Sequence, residues 1–260
     1  MRIFVTVKHV PDTTEVRFDA GGGLLVHQAP TKINDYDRNA LEAAAQLRES
    51  AGAEVVIGCV GPPEAAKTLK EAVAYGADRA VLVSGSWAET LDSDGAAQLL
   101  AALARSEGPF DLVLSGDVSE DGYDGLVPGL LGAALDLPFV PGVRALSVDG
   151  LVAEVTRVGD DAEETLRVSL PASLSVTRLV NVPRVVTTMQ VMKVPMSRIR
   201  TVGAGDVGVE EATLVPDALA VRTLGVRPAT QARSNEMLEG DADAMVADLV
   251  SRLDALGVLS

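Results

Sequence analysis

The residues best suited by type and spacing to do chemistry fall in one run, Ser115-Gly116-Asp117-Val118-Ser119-Glu120-Asp121-Gly122-Tyr123-Asp124-Gly125. Its glycines allow close backbone approach, and the free N–H groups of a helix starting after it could hold a phosphate. Against that stand Asp117, Glu120, Asp121 and Asp124, which put negative charge around the same loop. The run carries neither a Walker lysine nor the GxGxxG spacing, so by itself it reads equally as a nucleotide site or as a polar turn. A second glycine loop, Gly58-Cys59-Val60-Gly61-Pro62, has the same character. Catalytic and metal chemistry are less well provided for. His9 and His27 share no ligand spacing and read as surface or turn histidines, and the single Cys59 cannot complete a cysteine-rich zinc site. Gly85-Ser86-Trp87-Ala88 lacks the second glycine of a nucleophile elbow. Glu163-Glu164 and Glu210-Glu211 read as solvated charge in a chain with 37 acidic residues.

Both glycine loops need strands to carry them. Arg2–Val7, Glu54–Val60, Ala80–Val83 and Leu112–Leu114 are apolar runs of the kind a parallel sheet covered on both faces uses. Helices with readable ends lie between them. Asn34 or Asp35 caps one that runs through Ala51 to Gly52; Pro62 and Pro63 open a second that stops at Gly76; Asp92–Arg105 gives a third; Asp121 or Asp124 starts a fourth through Leu135. This alternation predicts a doubly wound α/β domain, whose ligands bind at the carboxyl ends of the strands. Val16–Phe18 and Leu24–His27 flank Gly21-Gly22-Gly23 like a small hairpin. Leu151–Val158 and Thr165–Leu170 form another around Gly159-Asp160-Asp161, with Ser173–Val176 as a further strand, all extending the same sheet. From Pro183 onward, prolines at 183, 195, 216 and 228 interrupt the pattern until an amphipathic helix at Asp241–Leu256. The predicted divisions are 1–182, an α/β domain; 183–240, an extended arm; and 241–260, a helix that needs something to lie against and is expected to pack on a partner subunit.

Composition narrows the function. The chain has 22 basic against 37 acidic residues, a net charge of −15, which excludes phosphate-backbone recognition of nucleic acid. One cysteine fits a reducing compartment. No apolar run reaches membrane-spanning length, and the first strand is too short for a signal segment, so a cytoplasmic chain without membrane insertion is expected. Aromatic residues make up only 3% of the chain, so each one outside the core is informative.

An ordered series of motifs resembles the beta subunit of electron transfer flavoprotein. Val5-Thr6-Val7-Lys8-His9-Val10-Pro11-Asp12 is similar to that family's opening strand and turn, and Ile33-Asn34-Asp35-Tyr36-Asp37-Arg38 to its Asn-x-(Phe/Tyr)-Asp segment. Gly61-Pro62 with Tyr75-Gly76-Ala77-Asp78-Arg79 resembles its next unit, Ser115–Val127 its adenylate loop, and Pro171-Ala172 with Asn181-Val182-Pro183-Arg184 its later part. The resemblance implies a mostly parallel sheet of the adenine-nucleotide-binding (HUP-like) type with antiparallel strands added and an extended C-terminal arm. It implies a non-enzymatic electron carrier that pairs with an alpha subunit, buries AMP as a structural group and covers the FAD shared with that partner.

By the same resemblance, AMP lies against Val7, Asn34, Asp35, Tyr36, Asp37, Val60, Gly61, Gly116, Asp121, Gly122, Tyr123, Asp124, Gly125, Leu126 and Val127, with the loop carboxylates turned away. Tyr36 and Thr13 face the flavin. Val185, Val186, Thr187, Thr188, Met189, Gln190, Val191, Met192 and Lys193 occupy the segment that docks acyl-CoA or related flavoprotein dehydrogenases. Gly125 and Val127 stand where many members have Gln and Gly, and Thr188 where well-known members have an anchoring Leu. Two alternatives stay open: a bifurcating type with a second FAD in place of AMP, and a stand-alone adenine-nucleotide-binding regulator. An adenylating enzyme would need a basic residue over the phosphates, for which Lys8 is the candidate.

Overall fold

The computed structural model of the chain describes residues 1–19, 21–159, 162–215, 218–221, 224–225 and 235–259. The turn residues Asp160 and Asp161 and the prolines at 216 and 228 lie outside these. The chain divides into two compact units, Met1–Val226 and Arg227–Ser260.

The first unit is built on a central strand. In β1 (Arg2–Thr6) successive residues are buried on opposite faces. Ile3 and Val5 pack with the helices on one side, while Phe4 packs on the other. A strand covered on both faces must be apolar without interruption, which is why this run carries no alternation. β4 (Glu54–Val60) and β6 (Leu112–Gly116) flank β1 in parallel, Val5 lying opposite Ile57 and Leu114. Gly58 is a glycine because a Cβ there would overlap the Phe4 ring. β5 (Arg79–Val83) continues the sheet beside β4.

The connecting helices cover the two faces. α1 (Asp35–Ala51) carries Asp35 and Asp37 in its first turn, which suits the helix dipole, and ends at Gly52 in the left-handed region, φ 66°. α2 (Ala65–Ala74) packs on the same face, and the Pro62-Pro63 turn precedes it. α3 (Ser93–Glu107) starts where Asp92 accepts the Gly95 N–H, and it lies on the opposite face with α4 (Leu126–Ala134). The fold is a doubly wound α/β sheet with antiparallel strands added.

Three strands depart from the sequence reading. β7 (Phe139–Asp149) is an eleven-residue strand in a region to which the sequence reading assigned none. β10 (Ala172–Val176) inserts between β6 and β7, parallel to both, so the hairpin of β8 (Val152–Val158) and β9 (Glu163–Ser169) reaches the sheet through β7. β11 (Ile199–Val202) lies in the stretch that showed no α/β unit and pairs in parallel with β5, Ile199 opposite Ala80. Among the described residues the main sheet has nine strands in the order β11-β5-β4-β1-β6-β10-β7-β8-β9. The glycine-flanked hairpin reduces to one bridge, Phe18 to Leu24, followed by a 3-10 turn at Val26–Gln28. β2 (His9–Pro11) and β3 (Thr31–Ile33) make a separate antiparallel pair. His9 is not a surface histidine: it is half-buried, its Nδ1 lies 2.6 Å from Thr68 Oγ1, and burial lowers its pKa.

Beyond β10, α5 (Thr188–Lys193) opens on a capping box in which Thr187 and Gln190 satisfy each other's backbone N–H. In the second unit, α6 (Ala242–Ala255) starts at Asp241, whose carboxylate accepts the Ala244 N–H. Among the described residues no helix is long and apolar enough to cross a membrane.

Candidate functional site

The chain runs from β1 outward to β4 and β5 and then returns past β1 to β6. That reversal leaves a crevice at the carboxyl ends of β1, β4 and β6, the place where doubly wound sheets bind ligands. A cavity of about 150 Å³ occupies it, a volume that admits an aromatic ring rather than a lone water. Its floor comes from strand ends: Thr6, Val7 and Lys8 at the end of β1, Val60 from β4, and Ser115 to Ser119 at the end of β6. Asn34 and Asp37 enter from the start of α1, Asp92 and Ser93 from α3, and Gly125, Val127 and Pro128 from α4. Ala88, Leu91, Ala96 and Leu100 make an apolar wall.

Two buried side chains fasten this crevice. Asp37 accepts the Lys8 N–H at 2.7 Å and the Gly116 N–H at 3.2 Å, tying the ends of β1 and β6 together. Burial pushes its carboxyl up to about 7, against the pull of those two N–H donors and the Lys8 ammonium. Asn34 holds the glycine loop, donating to Val118 O at 2.9 Å and accepting the Glu120 N–H at 3.1 Å. It stands at the cap position of α1 without a side-chain capping bond, because its amide is used across the crevice instead. Between the strands, Thr6 Oγ1 donates to Ser115 Oγ at 2.9 Å.

All the loop carboxylates are engaged by this chain's own groups. Asp117 accepts Ser175 Oγ–H at 2.7 Å and the Gly142 N–H at 3.3 Å. Glu120 pairs with Lys32 at 3.0 Å. Asp121 pairs with Lys8 at 2.8 Å and accepts the Gly122 N–H. Partial burial of its side chain raises the carboxyl pKa, but the Lys8 charge and hydrogen bonds overcome that and hold it below the usual range. Asp124 accepts Ser93 Oγ–H and the Leu126 N–H.

The structure brings eight of the predicted nucleotide residues to the cavity wall: Val7, Asn34, Asp37, Val60, Gly116, Asp124, Gly125 and Val127. The others lie around it. Asp35 faces Lys32 and Arg178; Gly61 is buried with its N–H on Val83 O; Asp121, Gly122, Tyr123 and Leu126 form the exposed outer side of the loop. Tyr36 stands half-buried on the rim, and Thr13 is exposed in the turn after β2. The 185–193 segment lies away from the cavity on its own stretch of surface, with Val185, Met189 and Met192 well exposed. Sequence reading missed the contributions of Asp92, Ser93 and the apolar wall. The signal existed, since every strand-to-helix connection of a doubly wound sheet opens on the same edge.

Residues 22–214 match the family model of the electron transfer flavoprotein domain. The chain is 30% identical over 261 residues to the electron transfer flavoprotein subunit beta of Thermoanaerobacterium thermosaccharolyticum, covering the whole of both chains. The chain belongs to the electron transfer flavoprotein beta-subunit family.

It is also 33% identical over 215 residues to the electron transfer flavoprotein subunit beta of Clostridium acetobutylicum, spanning 82% of this chain and 83% of that one. To the caffeyl-CoA reductase-Etf complex subunit CarD of Acetobacterium woodii it is 36% identical over 186 residues, 71% of each chain. Gly125 precedes α4 with φ +63°, a left-handed conformation in which a side chain is strained.

Proposed function

We propose that the chain is the beta subunit of a heterodimeric electron transfer flavoprotein, an electron carrier rather than an enzyme. In this reading it binds AMP structurally, covers the FAD held by an alpha subunit, and docks acyl-CoA or related flavoprotein dehydrogenases. The observation that carries it is the switch-point cavity whose surrounding carboxylates are all tied off, which lets an acidic chain accept an anionic nucleotide. The residues fit the group. Ala88, Leu91, Ala96 and Leu100 offer an apolar wall to an adenine ring, and Gly116 allows close backbone approach. Val127, whose N–H has no intrahelical acceptor so early in α4, lines the space a phosphate would enter. Asp37 and Asn34 hold the strand ends and the loop at fixed separation, so the site is formed before ligand arrives.

When bound, the flavin supplies the electron-accepting chemistry; this chain's residues orient it and exclude water. The docking segment is supported by its exposure and its anchorage. Val182 and Val185 are each 89% exposed, which is unusual for valine and marks a contact surface. Met189 and Met192 add adaptable apolar area beside them. Asn39 and Glu42 of α1 hold the root of this segment through Asn181 and Arg184.

The test is to purify the chain with the alpha subunit encoded beside it, denature the complex and quantify the released nucleotides. FAD and AMP in equal amounts support the reading. FAD in twofold excess over heterodimer, without AMP, supports a second reading in which another FAD replaces AMP, which the likeness to a reductase-complex subunit favours. A chain that forms no heterodimer, binding ATP or nothing, overturns both.

A further inference from the structure

Of the chain's three tyrosines, Tyr75 is buried in the core, while the other two meet beside the glycine loop. Tyr36 and Tyr123 come from α1 and from the β6–α4 loop. Their rings stand edge to face with centroids 6.4 Å apart, and their hydroxyls are 3.2 Å apart. Arg178, from the segment after β10, places its guanidinium 5.7 Å from the centroid of the Tyr36 ring and pairs with Asp35 at 3.6 Å. Three separate elements thus converge on one phenol ring.

Tyr36 cannot retreat inward, because its backbone and Cβ pack against Gly116 so closely that a Cβ there would stand 2.8 Å away. Tyr123 is the less expected partner. It is 65% exposed, so burial of its ring does not hold it in place. Its backbone nevertheless has φ 57°, in the left-handed region where a bulky residue is strained. An exposed aromatic side chain in strained backbone points to a use outside the chain's own stability.

We propose that Tyr123 is a positioning residue. Its hydroxyl and ring, together with Arg178, fix the Tyr36 side chain as the wall that meets the partner subunit's flavin. This rests on the electron-carrier reading above. Edge-to-face packing sets the tilt of the Tyr36 ring, and the guanidinium occupies one side of it. What remains is a preset aromatic surface with a phenol pair and a cation beside it, suited to a planar ring system bearing carbonyl acceptors.

The test uses the heterodimer. Flavin is removed and FAD affinity is measured by fluorescence titration for wild type, Tyr123→Phe, Tyr36→Phe and the double variant. Removal of the hydroxyl contact is expected to weaken FAD binding about fivefold in either single variant. The double variant should be no weaker than the weaker single, because both act through the same wall. Tyr123→Phe should also shift the flavin absorption band. Tyr123→Gly, which relieves the backbone strain, should leave the melting temperature undiminished and still weaken FAD.

Wild-type FAD affinity and spectrum in both Tyr123 variants would overturn the proposal while leaving the electron-carrier reading intact. Fully additive single effects, or a fall in melting temperature with Tyr123→Gly, would also overturn it. A wild-type heterodimer without FAD would remove the reading and the proposal together.

Discussion

The Gly116 N–H donates to Asp37 at 3.2 Å, and a Cβ on Gly116 would overlap that same carboxylate. One glycine therefore lets the end of β6 approach the start of α1, and the buried carboxylate exploits the approach by joining β6 to β1.

Gly116→Ala is expected to destabilise the chain by about 1–3 kcal/mol, the usual range for overpacking a filled site. The clash falls on Asp37 and on the Tyr36 backbone rather than on a flexible side-chain tip, so nucleotide content should fall as well. Urea denaturation and nucleotide release measure the two effects. Unchanged stability with full nucleotide content would contradict the role assigned to this contact.

Asp37 titrates in the folded chain near 7, raised by burial from 3.8. Between those values the folded state holds a proton that the unfolded state has released. Its contribution to stability therefore falls as pH rises from about 4 to about 7 and is level above that. Asp37→Asn removes this slope, and its amide meets one of two N–H donors with its own NH2, costing about 1–3 kcal/mol. The advantage of wild type over the variant in urea denaturation should be larger near pH 5 than near pH 8. An equal or smaller advantage near pH 5 would be the wrong sign.

Glu42 is 4% exposed. It accepts three hydrogen bonds from Arg184, from Nε at 2.7 Å and from the backbone N–H and Nη2 at 3.1 Å. Burial pushes its carboxyl up, and the Arg184 bonds more than offset this, leaving it below the usual range. Arg184→Ala strands a buried charge and should cost about 3 kcal/mol, with faster amide exchange through 185–193. Arg184→Lys should recover only part of the loss, because one ammonium cannot reproduce the guanidinium fork. A neutral Arg184→Ala would show that the segment is held by other contacts.

Cys59 lies 1% exposed in β4, and burial pushes its thiol up to about 12. Only the thiolate attacks a disulfide reagent, so the native chain should remain unlabelled at pH 8 and label fully in denaturant. Stoichiometric native labelling would mean that β4 opens readily.

The parallel centre of the fold was legible because strands buried on both faces must be unbroken apolar runs. Ile3-Phe4-Val5 and Leu112-Val113-Leu114 announce themselves in any order of reading. β11 was not legible, since Ile199-Arg200-Thr201-Val202 is short, half-exposed and strand-like only through pairing with Ala80 to Val83. The insertion of β10 between β6 and β7 is likewise a matter of distant partners: Ser173 lies opposite both Val113 and Phe139, and no local pattern encodes that choice.

The site divides along the same line. The glycine loop was marked by residue type, because backbone approach demands glycine, whereas Asn34 to Asp37 and Val7 were marked only by the family resemblance. The directions of the loop carboxylates were not marked. Asp117 turns to Ser175, Glu120 to Lys32, Asp121 to Lys8 and Asp124 to Ser93, each partner lying 25 or more residues away in the chain. The sequence by itself determined which strands form the buried centre and which loops meet at its carboxyl edge, since those follow from local apolar runs, caps and turns. Only the tertiary structure decided that each carboxylate of an acidic loop is paired within the chain, because that depends on contacts between elements that no local spacing brings together.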